Sequence, residues 1–186
     1  MSSPLTTALT LVAFSMASAA LPGASAGAQQ ADLDDPTIVA IFDAANTADM
    51  ETGALAEKRG STQEVRDFGA MLVRDHRMVR QQGRDLAAKL GVTPTPPKDD
   101  QSAKDHAAAM ARLRSLNGVA FDRAFLQYEA EFHQAVISAI ESTLFPAIQN
   151  EELKALVTKV APAFQAHMKM AQELEKKIPA DRVSAK

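Results

Sequence analysis

Residues 65–90 read VRDFGAMLVRDHRMVRQQGRDLAAKL. Stepping by threes and fours through them gives Val65, Phe68, Leu72, His76, Val79, Gly83, Leu86 and Leu90. That is the stripe by which an amphipathic helix packs into a bundle. His76 therefore stands in a row of core residues. Most histidines in such a row are hydrogen-bonded core residues rather than ligands. What sets this one apart is that two other predicted helices also carry a histidine on or beside their apolar stripe.

Working outward, Ser61-Thr62-Gln63-Glu64 is an N-terminal signature for this helix, with Ser61 as cap and Glu64 in the reciprocal position. Arg59-Gly60-Ser61 then makes a tight turn from a preceding helix, so the two are antiparallel neighbours. Asp34-Asp35-Pro36 opens that first helix, with acids at the positive end of its dipole. Ile38, Ile41, Ala45, Ala48, Thr52 and Leu55 mark its stripe. Gly91 stops the second helix, and Thr93-Pro94-Thr95-Pro96-Pro97 cannot be helical. A polar, Ala-rich helical piece from Lys98 to about Leu116 follows, until Asn117-Gly118 breaks it. Helix three is expected from Val119 to Leu144, burying Phe121, Phe125, Tyr128, Phe132 and Val136, with Pro146 ending it. Leu153, Leu156, Val160, Phe164, His167, Ala171, Leu174 and Ile178 define helix four. Pro162 falls inside that pattern and is expected to kink it one turn before His167. The predicted architecture is all-α: an antiparallel four-helix bundle over residues 36–179, with a short extra helix in the connection between helices two and three.

Composition narrows the partners. Lys and Arg total 20 against 23 Asp and Glu, so no basic face is implied and nucleic acid is disfavoured. There is no cysteine, which removes disulfides, thiolate metal sites, thiol catalysis and a cysteine-borne lipid together. Residues 1–28 are uncharged and rich in Ser, Thr, Ala and Leu, and the apolar run Ala8 to Phe14 is too short to span a bilayer. Ala24-Ser25-Ala26 and Ala26-Gly27-Ala28 both fit the small-x-small pattern of signal peptidase. These features read as a cleaved secretory signal, followed by a flexible linker over residues 29–35. No Lys or Arg precedes the apolar run, so the alternative is a disordered Ala-rich tail. Residues 180–186 read as a second disordered tail. After processing no transmembrane helix is expected.

The histidines can be placed by height. In an up-down-up-down bundle both tight turns, near residues 60 and 148, lie at one end. His76, His133 and His167 are then about 16, 15 and 19 residues below their turns, within roughly one 5.4 Å helical turn of each other. His133 sits on the flank of its stripe, with Glu129 one turn away and nearer the core, and the two can face a common point. On helix one, Glu51 lies about 10 Å higher. Asn46 and Asp49 are nearer in height, though Asp49 looks less well aimed. Asp75, next to His76, faces another way and is expected to pair with surface arginines. Imidazole and carboxylate without thiolate suit one zinc, copper or iron ion. Equally, buried His and Glu can pair across a bundle as a polar layer that fixes register. His167-Met168-Lys169-Met170 suggests a soft-metal tract, but helical spacing sends the two methionines to different faces. His106, in the polar connection, is expected to be solvated.

Glu51, the run Val65-x-x-Phe68-x-x-Met71-x-x-x-Asp75-His76, Phe121-Asp122, His133 and Pro162-x-x-x-x-His167 resemble the bacterial exported family called domain of unknown function 4142. The likeness extends over about Asp34 to Ile178. It implies a ferritin-like bundle in the periplasm or at the outer membrane, with members linked loosely to stress responses. No catalytic residues come with the family. A di-iron carboxylate centre takes a Glu-x-x-His pair from each of two helices. Here Val73, Ala130 and Phe164 stand three residues before the histidines, so both pairs are missing and chemistry of that kind is disfavoured.

The leading expectation is thus an exported, non-catalytic bundle that sequesters or senses one transition-metal ion. Its ligands would be His76, His133 and His167, assisted by Glu129 or Glu51. The competing expectation is a structural or protein-interaction module of the envelope stress response, whose polar layer serves only the fold and which binds an envelope protein. An uncharacterised enzyme would require a ligand-sized cavity opening beside the histidines.

Overall fold

The computed structural model describes residues 33–98 and 100–179. The stretches read as signal segment and C-terminal tail, with residues 29–32 of the linker, lie outside the described residues. Every element among the described residues is a helix. α1 spans Asp35–Arg59, α2 Gln63–Leu90, α3 Ser102–Ser115 and α4 Gly118–Ala139. α4 continues through a π-helical turn, Ile140–Leu144, into the single turn α5, Phe145–Ala147, and α6 spans Glu151–Lys177. Among the described residues no helix is long and apolar enough to cross a membrane.

Helix ends follow local chemistry. Asp34 caps α1 by accepting from the Thr37 amide at 2.9 Å, and Asn150 caps α6 through the amides of Glu152 and Leu153. Gly91 ends α2 with φ +65°, a left-handed conformation that glycine adopts without strain. The cap of α2 is Thr62 rather than Ser61, which was expected in that role. Ser61 is drawn instead to the buried carboxylate of Asp122, which accepts from its amide at 2.8 Å and from its hydroxyl.

Two helical hairpins, α1/α2 and α4/α6, pack face to face as a helical bundle. Their turns lie at opposite ends of it. The α1–α2 turn touches the start of α4 through Ser61 and Asp122. At the other end, Asp35 at the start of α1 accepts from the amides of Gln149 and Asn150, both at 2.9 Å. The up-down-up-down arrangement used to place the histidines by height is therefore corrected: α2 and α4 run parallel, and residues 91–117 carry the chain back along the bundle. That connection begins against α1, where the Thr95 amide donates to Pro36. It ends under Arg59, whose guanidinium donates to the carbonyls of Arg114 and Leu116 and to Asn117 Oδ1.

The expected end of helix three is also corrected. The helix does not stop at Leu144, because a π turn precedes Pro146 and the Phe145 amide reaches back five residues to Ile140. Proline lacks an amide donor and crowds the carbonyl four residues back, and the wider turn relieves that contact. α6, for its part, runs unbroken through Pro162, which lies on its exposed face.

Apolar residues form one cluster at the α1–α2 turn, centred on Phe68, Leu72, Phe121 and Phe125. A second lies at the far end around Ile38, Ile140 and Leu153, and a third joins Phe42, Ile137, Val160 and Phe164. One helical turn separates Leu72 from His76, Asn46 from Phe42 and His133 from Ile137. A polar layer is thus held between apolar ones.

Candidate metal centre

Each long helix contributes to that layer. α1 supplies Asn46, Asp49 and Thr52, α2 His76, α4 Glu129 and His133, and α6 His167, all buried. The three imidazoles form a nearly equilateral triangle, with ring centroids 5.5 Å apart for His76–His133, 5.1 Å for His76–His167 and 5.4 Å for His133–His167. The Phe164 ring packs against His76 and His133, at 5.4 and 5.9 Å, and closes one side.

The hydrogen bonds fix which nitrogen of each ring carries a proton. Asn46 donates its amide N–H to the Phe42 carbonyl at 2.7 Å, so its oxygen must face His76, where it accepts from Nδ1–H at 2.9 Å. His133 Nδ1–H donates to the Glu129 carbonyl at 2.9 Å. His167 Nε2–H donates to Asp75 at 3.2 Å. All three outer nitrogens are donors, and three lone pairs are left facing inward: His76 Nε2, His133 Nε2 and His167 Nδ1. This is the arrangement in which outer-shell oxygens orient metal-binding imidazoles. Two of the inner nitrogens, on His76 and His167, are 3.2 Å apart. Nitrogens about 2.0–2.1 Å from one ion at a tetrahedral angle stand about 3.3 Å from each other. His133 Nε2 has no hydrogen-bond partner.

Carboxylates flank the rings. Asp49 Oδ2 lies 3.3 Å from His76 Nδ1, and its Oδ1 lies 3.9 Å from His133 Nε2. Glu129 Oε2 lies 3.5 Å from His133 Nδ1. All four oxygens of this acid pair are buried and without a hydrogen bond. Potential ligand atoms of His76, His133 and His167 lie within 4.8 Å of one another, and so do those of Asp49, Glu129 and His133. The two sets share His133.

Electrostatics follow from burial. Desolvation, aided by the neighbouring rings, pushes His76 down to about 2. It pushes His133 down to about 4, against the pull of the Glu129 carbonyl. It lowers His167 as well, although Asp75 opposes it. The rings are therefore neutral, with their inner lone pairs free at neutral pH. Desolvation raises Glu129 to about 7, and it raises Asp49 well above the usual carboxylate range, helped by the charge of Glu129.

Of the residues selected from sequence, His76, His133, His167 and Glu129 are brought together and Glu51 is not. Glu51 is exposed on the opposite side of α1 and accepts from His106 Nε2 at 2.8 Å, so neither behaves as expected: Glu51 is no part of the cluster, and His106 is tied rather than simply solvated. Asp49 takes the place foreseen for Glu51. Asp75 does pair with Arg74, but its other oxygen reaches the outer nitrogen of His167 from the next helix. A signal for α1 was present in Asn46-x-x-Asp49-x-x-Thr52, three polar residues in one row of the helix. Met168 is half-buried and Met170 exposed, on different faces of α6 as their spacing requires. A 480 Å³ groove between α1, α2 and the Pro-rich connection, lined by Phe42, Gly83 and Pro94 among others, touches none of the cluster.

The molecule is thus an all-helical bundle with a buried His/Asp/Glu cluster that could hold a metal ion. Residues 20–174 match the family described as Domain of unknown function (DUF4142), and the chain belongs to that family. Neither a curated protein nor a solved structure matches it.

Proposed function

We propose that this protein is an exported, ferritin-like four-helix bundle that sequesters or senses one divalent transition-metal ion. The ion is held by His76 Nε2, His133 Nε2 and His167 Nδ1, with Asp49 and Glu129 as the adjoining carboxylates. The observation that carries this reading is the convergence of three inward lone pairs, each oriented by an oxygen on the far side of its ring. Three acceptors facing one another in a dry core repel, and a cation removes the repulsion.

Charge and donor type favour a divalent ion over copper(I). Ionised Asp49 and Glu129 would place two negative charges in the interior, and a divalent cation balances both. Copper(I) is favoured by thiolate and thioether donors, whereas imidazole and carboxylate suit zinc, iron or manganese. Sequestration or sensing fits a cluster buried at the centre of the bundle.

Elemental analysis tests the metal reading. Mature protein purified without a His-tag after supplementation with Zn, Fe, Mn or Cu should carry about one equivalent of a divalent ion, and His76→Ala should carry almost none. Less than about a tenth of an equivalent in the unaltered protein would favour the structural or interaction module instead. Export rests on the apolar run and small-x-small sites of residues 8–28. N-terminal sequencing of the protein from a periplasmic fraction should begin after residue 26 or 28; recovery of the intact chain in the cytosol would overturn that part.

A further inference from the structure

The three outer ties of the histidine triad are not alike. Asn46, which holds His76, is fully buried, and the Glu129 carbonyl, which holds His133, lies inside α4. Asp75, which holds His167, has a quarter of its side chain exposed and pairs on its outer oxygen with Arg74, itself 65% exposed. His167 is also the least buried of the three rings. Turning His76 outward would strand the Asn46 oxygen in a dry core, whereas turning His167 releases a carboxylate that water can solvate at once. The seam between α2 and α6 is therefore where the cluster opens with least loss.

Resting on the metal reading above, we propose that Asp75 is a positioning residue that latches the exchange route of the ion, with His167 as the ring that swings. In the closed state Asp75 Oδ2 holds Nε2–H of His167, which keeps Nδ1 aimed at the ion. Arg74 holds Asp75 in place through Oδ1 and sets a positive charge at the mouth, slowing the approach of a cation. The latch controls how fast an ion enters and leaves, in addition to the affinity that any outer-shell partner provides.

Cobalt(II) is the probe, followed by its visible absorbance during stopped-flow uptake and during release to excess EDTA. Asp75→Ala takes the acceptor away from Nε2–H of His167. It should speed both uptake and release about tenfold, with a modestly lower melting temperature in the metal-free protein, while Asp75→Glu recovers most of the slow exchange. Arg74→Gln should raise uptake a few-fold, with the gain shrinking as salt is added. If Asp75→Ala speeds release but leaves uptake unchanged, the residue only strengthens binding and the latch is wrong. Rates within twofold of the unaltered protein in both directions would also overturn it. Failure of the unaltered protein to bind cobalt(II) would instead overturn the metal reading on which the latch rests.

Discussion

His76 shows how one side chain is specified by several others. Its Nδ1 proton is fixed by Asn46, whose amide is in turn fixed by the Phe42 carbonyl, so the inward lone pair is settled two bonds away from the ring. If the triad holds an ion, excess Zn²⁺ at about a hundred times its Kd stabilises the fold by about 2.7 kcal/mol. That should raise the melting temperature by about 5–10 °C in the unaltered protein and leave His167→Ala unmoved. Equal shifts in both, read by differential scanning fluorimetry, would count against the site. The same residues set a pH dependence with two opposed parts. His76 at about 2 and His133 at about 4 lie below the ordinary 6.5. Between those values the unfolded chain binds more protons, so stability drops as pH drops below about 6.5. Glu129, at about 7, does the reverse: its contribution is complete below about 4.3 and is lost as pH rises through 7. In metal-free protein the two partly cancel. Glu129→Gln removes one side, so its urea midpoint should fall further between pH 7 and pH 5 than that of the unaltered protein; an equal or smaller fall would argue that Glu129 is ionised in the fold.

Elements differ in how plainly their buried faces can be read. α6 carries bulky apolar residues at regular spacing, and its stripe is buried from Leu153 to Leu174; on α2 the stripe is buried at Val65, Phe68, Leu72, His76 and Gly83, while Val79, Leu86 and Leu90 are half-buried. α1 is different. Its buried row runs through Phe42, Asn46, Asp49, Gly53 and Ala56, whereas Ile41, Ala45 and Leu55, expected in the core, are only half-buried. The reason is contact distance. A Cβ on Gly53 would stand 2.7 Å from the Gly69 carbonyl oxygen, and one on Gly69 would stand 2.6 Å from the Gly53 carbonyl oxygen and 2.7 Å from the Glu57 amide. Two glycines let α1 and α2 touch backbone to backbone, so small and polar residues fill that face and the hydrophobic pattern misreports it. Gly69→Ala should accordingly cost about 1–3 kcal/mol in urea denaturation, because backbone cannot yield to the added methyl. A loss under about 0.5 kcal/mol, the usual range of a surface substitution, would mean that the helices separate freely.

At the scale of the whole molecule, two acids join the hairpins at opposite ends, Asp122 on Ser61 and Asp35 on Gln149 and Asn150. Asp122→Ala leaves the Ser61 amide without its acceptor and should cost about 1–3 kcal/mol, measurable as a lower urea midpoint with an unchanged slope. The histidines fall at one level even though the hairpin turns do not lie at one end as the height argument assumed. His76 stands at the middle of its helix, and His133 and His167 stand close to theirs, so reversing a hairpin scarcely alters their height. What the amino-acid sequence determined by itself was the helices, their turns and the inward row of three imidazoles, because local periodicity and caps act within a few residues. What only the tertiary structure decided was the choice of Asp49 over Glu51, the reach of Asp75 to His167 and the direction of the second hairpin. Those depend on rotation and approach between helices far apart in the chain, which spacing along any one helix does not encode.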